Sequence, residues 1–215
     1  MTETAVAEET AAPVAGGPRR FGTAWLAIAV AVGLLLGFAA GLLAPSLRTP
    51  GDTSPEAGFA RDMSLHHAQA VEMAMVAYQK GTDQRTRNIA YDIVMAQQNQ
   101  IGTMQRWLEE WRLSPTGSQP RMAWMKGGEA LVQDGLMPGM ATPEEITALH
   151  QATGQNVDKM FITLMIKHHL GGIHMAEGVL AETNRPEVVR LAQAMKNNQQ
   201  NEIDALRQVE ATLTV

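Results

Sequence analysis

The chain has 215 residues, a mass of 23.3 kDa and a net charge of −5 at neutral pH. It has no block of basic residues, so nucleic acid is not an expected partner. It also has no cysteine, which excludes disulfides, zinc–thiolate sites, iron–sulfur clusters and cysteine nucleophiles. Its 14 methionines fit either flexible core filler or a supply of thioether ligands for a soft metal.

The N-terminal part of the chain predicts a disordered segment followed by a membrane anchor. Residues 1–20 show no apolar periodicity, so we expect them to be disordered. Residues 21–44 carry no charge and match the roughly 20 residues that cross a bilayer. Arg19 and Arg20 precede this run, which keeps the N-terminus in the cytoplasm and places the rest of the chain outside. A cleaved signal peptide is the alternative, but the apolar run is long for one.

Two copies of one pattern follow a flexible tether predicted at residues 45–55. The copies are 102 residues apart. At this offset the coinciding pairs include Met63 with Met165, His66 with His168, His67 with His169, Met73 with Met175, and Gln97 with Gln199. A single offset that holds over two separate segments indicates an internal duplication.

Each copy predicts a hairpin of two amphipathic helices. The predicted helices cover residues 56–80 and 83–112 in copy one, and residues 157–183 and 187–212 in copy two. Asp83 and Asn184 are the candidate N-caps, and Pro186 suits a first helical turn. Strand signals are nearly absent. Two such hairpins bury their apolar stripes best as an all-α four-helix bundle over residues 56–212.

The crossover between the copies, residues 113–156, is expected to lie over one end of the bundle. Thr142, Pro143 and the acidic residues after them predict the start of a short helix. The apolar contacts of the crossover are assigned to Trp124 and to Met122, Met125, Met137 and Met140. Three further methionines at helical spacing are expected in the core, namely Met95, Met104 and Met195.

The repeated stretches contain five of the six histidines of the chain. At about 100° per residue, His66 and His67 share a helix face with Met63 and Met73. This face is apolar, so it should point into the bundle. Copy two gives the same arrangement, whereas His174 falls on the opposite side. The second helix of each hairpin carries polar residues within its apolar stripe, namely Gln97, Gln100, Gln199 and Glu202.

Two interpretations of the inward histidines are open. They could form a buried network with the glutamines and Glu202 and bind nothing, because buried polar groups need partners. Four histidines in two copies, each with Met three residues earlier, favour a metal site instead. The candidate ligands are Met63, His66, His67, Met73, Met165, His168, His169 and Met175. No Glu-x-x-His motif of a di-iron bundle occurs, and imidazole with thioether favours copper, Cu(I) in particular.

Three stretches, FARDMSLHHAQAVEMA, MPGMATPEEI and MFITLMIKHHLGGIHMAE, resemble the bacterial family known as domain of unknown function 305. The resemblance covers residues 56–211. It implies a ferritin-like four-helix fold, a secreted or membrane-anchored protein and an association with copper. Carried over by position, it adds Asp62, Glu72, Gln97 and Gln199 around the ligands. Gln100 and Glu202 of the inward stripes and His174 complete the residues expected around them. This chain departs from the family at Gln100 and His174, where an acid is usual or common.

The sequence thus predicts a single-pass, membrane-anchored extracytoplasmic protein that captures, buffers or delivers copper. One alternative is a copper-dependent oxidoreductase, which is less favoured because no substrate pocket or radical site is evident. Another is a metal-free structural or interaction module. A homo-oligomer or a copper-trafficking partner is left open.

Overall fold

The computed structural model describes the backbone of residues 22–213 and their side chains except at positions 40 and 42–48. The expected disorder of residues 1–20 lies outside this range. The chain divides into two compact units, Met1–Arg48 and Thr49–Val215. The helices are α1 (Thr23–Arg48), α2 (Pro55–Lys80), α3 (Gln84–Glu110), α4 (Pro143–Gln151), α5 (Gln155–Glu182) and α6 (Pro186–Leu213), with a 3₁₀ turn at Gly128–Leu131. The described residues include no strand, which confirms the all-α class.

The first unit contains α1. Its large apolar side chains are exposed, among them Trp25, Leu34 and Phe38. The helix continues to Arg48, so the first four residues of the expected tether are helical. In the part of the chain whose side chains are described, no helix combines the length and the apolarity needed to cross a membrane.

The helix ends of the second unit follow local capping rules. Ser54 caps α2, Asp83 caps α3 as predicted, and Gly81 ends α2. A capping box forms between Thr142 and Glu145 at the start of α4. The prediction for α6 was wrong by one residue. This helix begins at Pro186, so the residue before it is Arg185 and not Asn184.

The four long helices of this unit pack in two hairpins. Helix α2 contacts α3, α5 contacts α6, and the hairpins meet through α2 against α5 and α3 against α6. The buried apolar side chains form two clusters. Met104 and Met195 are buried as expected, but Met95 is exposed and the prediction for it was wrong. Most of the crossover methionines and Trp124 are buried as predicted.

Each hairpin holds the turn of the other through a carboxylate. Asp158, which is fully buried in the first turn of α5, accepts hydrogen bonds from Thr82 N (2.9 Å), Thr82 Oγ1 (2.6 Å) and Asp83 N (3.3 Å). The residue at the equivalent position of copy one is Glu56, which accepts from Thr183 Oγ1 in the turn before α6. We call the contact of Asp158 with the α2–α3 turn the turn clamp. The two contacts link the copies through residues at equivalent positions.

Candidate metal site

The four predicted inward histidines meet in one layer between the two apolar clusters. We call His66, His67, His168 and His169 the histidine layer. Their exposed fractions are 0%, 0%, 1% and 0%. The ring centroids of His66 and His168 are 3.8 Å apart, with 37° between the ring planes. The two copies therefore meet at their histidines, where α2 packs against α5.

Three of these imidazoles have a polar neighbour at Nε2. His66 Nε2 donates to the Pro138 carbonyl (3.0 Å), and His67 Nε2 donates to Gln100 Oε1 (2.7 Å). His169 Nε2 lies 2.7 Å from Glu202 Oε2, outside hydrogen-bonding alignment. A carbonyl oxygen can only accept, so the proton of His66 is on Nε2 and its Nδ1 carries a lone pair. The same tautomer follows for His67.

The remaining polar atoms of the layer are buried without partners. Among the residues that the structure describes, Nδ1 of all four histidines and Nε2 of His168 have no hydrogen-bond partner. The same holds for Oε1 of Gln97 and of Gln199. Leaving a buried acceptor unpaired costs on the order of 1–3 kcal/mol. Apart from the bond between His67 and Gln100, these side chains do not satisfy one another, contrary to the expectation for a self-contained polar network.

Burial keeps His66, His67 and His168 neutral. Loss of hydration lowers the pKa of His66 to about 4, with the bond to Pro138 opposing part of the shift. Burial and the neighbouring His66 lower the pKa of His67 to about 3. Burial, again with His66, also brings the pKa of His168 well below its ordinary value. Neutral imidazole is the form that binds metal ions.

The candidate methionine ligands are fully buried on the two sides of the layer. Met63 and Met175 belong to one apolar cluster, and Met73 and Met165 belong to the other. Within residues 22–213, no group of three or more His, Asp or Glu side chains is positioned to hold a metal ion. The layer and the two apolar clusters beside it thus contain imidazole and thioether side chains.

The residues expected around the ligands divide into two groups. Gln100 and Glu202 contact imidazoles of the layer. Gln97 and Gln199 are buried, and the amide of Gln199 lies directly over Gly172. Three others point away from the layer. Asp62 accepts from Met122 N (2.7 Å) and Trp124 Nε1 (2.8 Å) in the crossover, and burial raises its pKa. Glu72 lies 3.0 Å from His150 on the surface, and His174 is exposed.

A segment of the crossover that the sequence did not assign to the site touches the layer directly. We call residues 137–142 the strap. Its Pro138 carbonyl bonds His66, and Gln69 of α2 bonds both backbone groups of Ala141, at 2.8 and 2.9 Å. Gly171 lets the strap approach α5, because a Cβ there would collide with the Pro138 carbonyl. The two glycines after His168-His169 and the Pro-Gly of the strap were the available signals.

The chain is similar to proteins of one family. A family model described as "Domain of unknown function (DUF305)" matches residues 56–210. No curated protein matches the chain. A DUF305 crystal structure from Streptomyces coelicolor, provisionally described as a secreted protein, is 39% identical, with a TM-score of 0.70, and the match covers 77% of this chain and 97% of that one.

Two further solved structures are similar. A DUF305 fragment from Deinococcus radiodurans is 29% identical, with a TM-score of 0.60, and the match covers 72% of this chain and 94% of the fragment. CopM in its Cu(II)-bound form is 28% identical, with a TM-score of 0.57, over 74% of this chain and 97% of CopM. CopM has also been solved in Cu(I)-bound, silver-bound and apo forms.

Proposed function

The chain belongs to the DUF305 family, and from that premise we propose that it binds copper ions on the extracytoplasmic side of a bacterial membrane. Its role would be to capture, buffer or deliver the metal. The Cu(II)-bound structure of CopM, at 28% identity, supports copper as the ion. The protein from Streptomyces coelicolor, provisionally described as secreted, supports a location outside the cytoplasm.

One observation carries the proposal, namely the direction in which the imidazoles of the layer are held. His66 and His67 each engage Nε2 with an oxygen and leave a buried, unpartnered lone pair on Nδ1. Histidines that bind metals have this arrangement, because the outer partner fixes the tautomer and turns the other nitrogen toward the ion. Glu202 Oε2 lies equally close to His169 Nε2, at 2.7 Å, but outside hydrogen-bonding alignment.

The proposed ligand set combines imidazoles and thioethers. It consists of Met63, His66, His67, Met73, Met165, His168, His169 and Met175. Gln100 and Glu202 would orient the imidazoles, with Gln97 and Gln199 beside them. Soft thioether and imidazole donors without any thiolate suit copper and its univalent form.

We further propose that the second unit is a ferritin-like four-helix bundle and that residues 21–44 anchor it in the membrane. The pairwise contacts among α2, α3, α5 and α6 support the bundle. The anchor is supported by an uncharged run of 24 residues in the sequence and by the exposed apolar side chains of α1.

The test is an anaerobic Cu(I) titration of the purified full-length chain against a competing chelator. Variant His66→Ala/His168→Ala should lose tight binding, whereas His174→Ala, which changes an exposed histidine on α5, should bind as the wild type does. Circular dichroism of each variant would verify the helical fold. A folded wild type that binds no copper would support the metal-free module. Turnover of a redox substrate by the copper-loaded chain would support the oxidoreductase.

A further inference from the structure

We infer that Glu202 sets the charge of the ion that the histidine layer accepts, so that the layer takes one univalent cation in preference to a divalent one. This inference rests on the proposed function and extends it, because it identifies the residue that selects the univalent ion over the divalent one. It is carried by a difference between the two copies at a single pair of equivalent positions.

The first step is the charge of the layer. Oε2 of Glu202 is buried and lies 2.7 Å from His169 Nε2. The other acids near the core are engaged elsewhere: Asp158 bonds the α2–α3 turn, and Asp62 accepts from Met122 N and Trp124 Nε1 in the crossover. Among the described residues, Glu202 is thus the one carboxylate that contacts the histidine layer. Since a metal-bound imidazole is neutral, the loaded layer contains a single negative charge.

The second step is the cost of burying a net charge. A charge removed from water is expensive unless an opposite charge beside it compensates. A univalent cation and one carboxylate leave the layer electrically neutral. A divalent cation in the same place leaves one positive charge that no described side chain balances. Desolvation therefore favours the univalent ion.

The third step is the difference between the copies. Gln100 occupies in copy one the position that Glu202 occupies in copy two. Its Oε1 lies 2.7 Å from His67 Nε2, as Oε2 of Glu202 lies 2.7 Å from His169 Nε2. The glutamine thus keeps the contact and omits the charge. A glutamate at position 100 would add a second carboxylate and make a divalent ion the neutral choice.

The experiment compares Cu(I) and Cu(II) affinities in four full-length chains: wild type, Gln100→Glu, Glu202→Gln and Gln98→Glu. The last is a matched control, because Gln98 is on the same helix as Gln100 but exposed to solvent. Cu(I) is titrated anaerobically against a chelator and Cu(II) against a second chelator in the same buffer. The quantity of interest is the ratio of the two dissociation constants.

We expect wild type to bind one Cu(I) per chain. Gln100→Glu should shift the ratio toward Cu(II) by roughly tenfold or more, since two charges a few ångströms apart interact strongly away from water. For a one-electron couple, a tenfold shift lowers the reduction potential by about 59 mV. Glu202→Gln should shift the ratio in the opposite direction. Gln98→Glu should change it by less than about twofold, because water and salt screen an exposed charge.

Two results would overturn the inference, and they are distinguishable. If all four chains bind copper with one common ratio, Glu202 does not select the valence, although the proposed function stands. If wild type binds neither copper ion, the proposed function fails and the inference fails with it. Should Gln100→Glu lose its helical circular dichroism, Glu202→Gln decides alone, because it replaces a half-buried side chain by its neutral isostere.

Discussion

The histidine layer and the turn clamp are both buried and polar. They differ in that the carboxylate of the clamp has hydrogen-bond partners, whereas many polar atoms of the layer have none. Asp158, at the clamp, is fully buried and accepts three hydrogen bonds from the α2–α3 turn. His168, in the layer, is as deeply buried and has no partner at either ring nitrogen within the described chain. Buried polar groups that stabilise a fold have hydrogen-bond partners. The layer instead leaves imidazole nitrogens without a hydrogen-bond partner among the described residues.

This contrast predicts that a falling pH will destabilise the histidine layer before any other part of the second unit. The pKa of His66 is about 4 and that of His67 about 3 in the folded chain, against about 6.5 when unfolded. The unfolded chain therefore binds more protons as the pH falls. The contribution of these two histidines to stability is complete above about pH 6.5 and is lost as the pH falls toward 4. The loss levels off below about pH 3. Each of these two histidines should lower the free energy of unfolding by about 1.4 kcal/mol per pH unit in that window.

Chemical denaturation of the metal-free chain at pH 7.5, 6.0 and 5.0 would measure this loss. His66→Leu should reduce the slope of stability against pH, because it removes one of the buried titrating groups. The exposed His174→Ala should leave the slope as it is in wild type. A stability that stays constant from pH 7.5 to 5.0 would contradict the buried neutral state of the layer.

Mutations in the turn clamp should lower the free energy of unfolding without changing the affinity for copper. Asp158→Ala strands three donors of the α2–α3 turn, so we expect a loss of about 3 kcal/mol in the free energy of unfolding. Glu56→Ala at the equivalent position should cost less, about 1 kcal/mol, because Glu56 is half-buried and accepts from one hydroxyl. Urea denaturation measures both, and Cu(I) affinity should match wild type. A drop in affinity in Asp158→Ala would mean that clamp and layer are coupled.

The direction of each histidine was predictable from the sequence because it depends on local geometry alone. A rotation of about 100° per residue and one constant offset placed His66, His67, His168 and His169 inward, as observed. The same rotation puts Glu72 and His174, which are equivalent in the two copies, on the outside. The family pattern had included Glu72, but a pattern of residue types does not specify on which side of a helix each one lies.

The contacts that complete the layer were not predictable, because they depend on the path of the crossover. The Pro138 carbonyl reaches His66 from 72 residues away along the chain, and no periodicity encodes that path. Asp62 was placed beside the imidazoles, but it bonds Met122 and Trp124 of the crossover. Long-range partners of this kind follow from tertiary structure, whereas helical faces follow from spacing.

The strap allows a smaller test of what holds the layer closed. Gly171→Ala places a methyl group against the Pro138 carbonyl, so the strap must shift and His66 loses its Nε2 partner. We expect a loss of about 2 kcal/mol from overpacking. Gly102→Ala is the matched control, because a Cβ on this α3 glycine meets nothing within 4 Å. It should instead gain about 1 kcal/mol from helix propensity. An equal gain in the free energy of unfolding in both variants would show that the position of the strap does not depend on Gly171.

The smallest change in stability is expected for His168→Leu. The sign of this change distinguishes the histidine layer from the turn clamp most clearly. His168→Leu replaces an imidazole whose nitrogens have no partner with an apolar side chain of similar size. No donor or acceptor is stranded, so the metal-free chain should unfold within about 1 kcal/mol of wild type or be slightly more stable. Cu(I) affinity should nevertheless fall. A loss of stability comparable with that of Asp158→Ala would mean that His168 serves the fold, as the clamp does. A gain in stability with a loss of copper would mean that the chain keeps a costly side chain because it binds the ion.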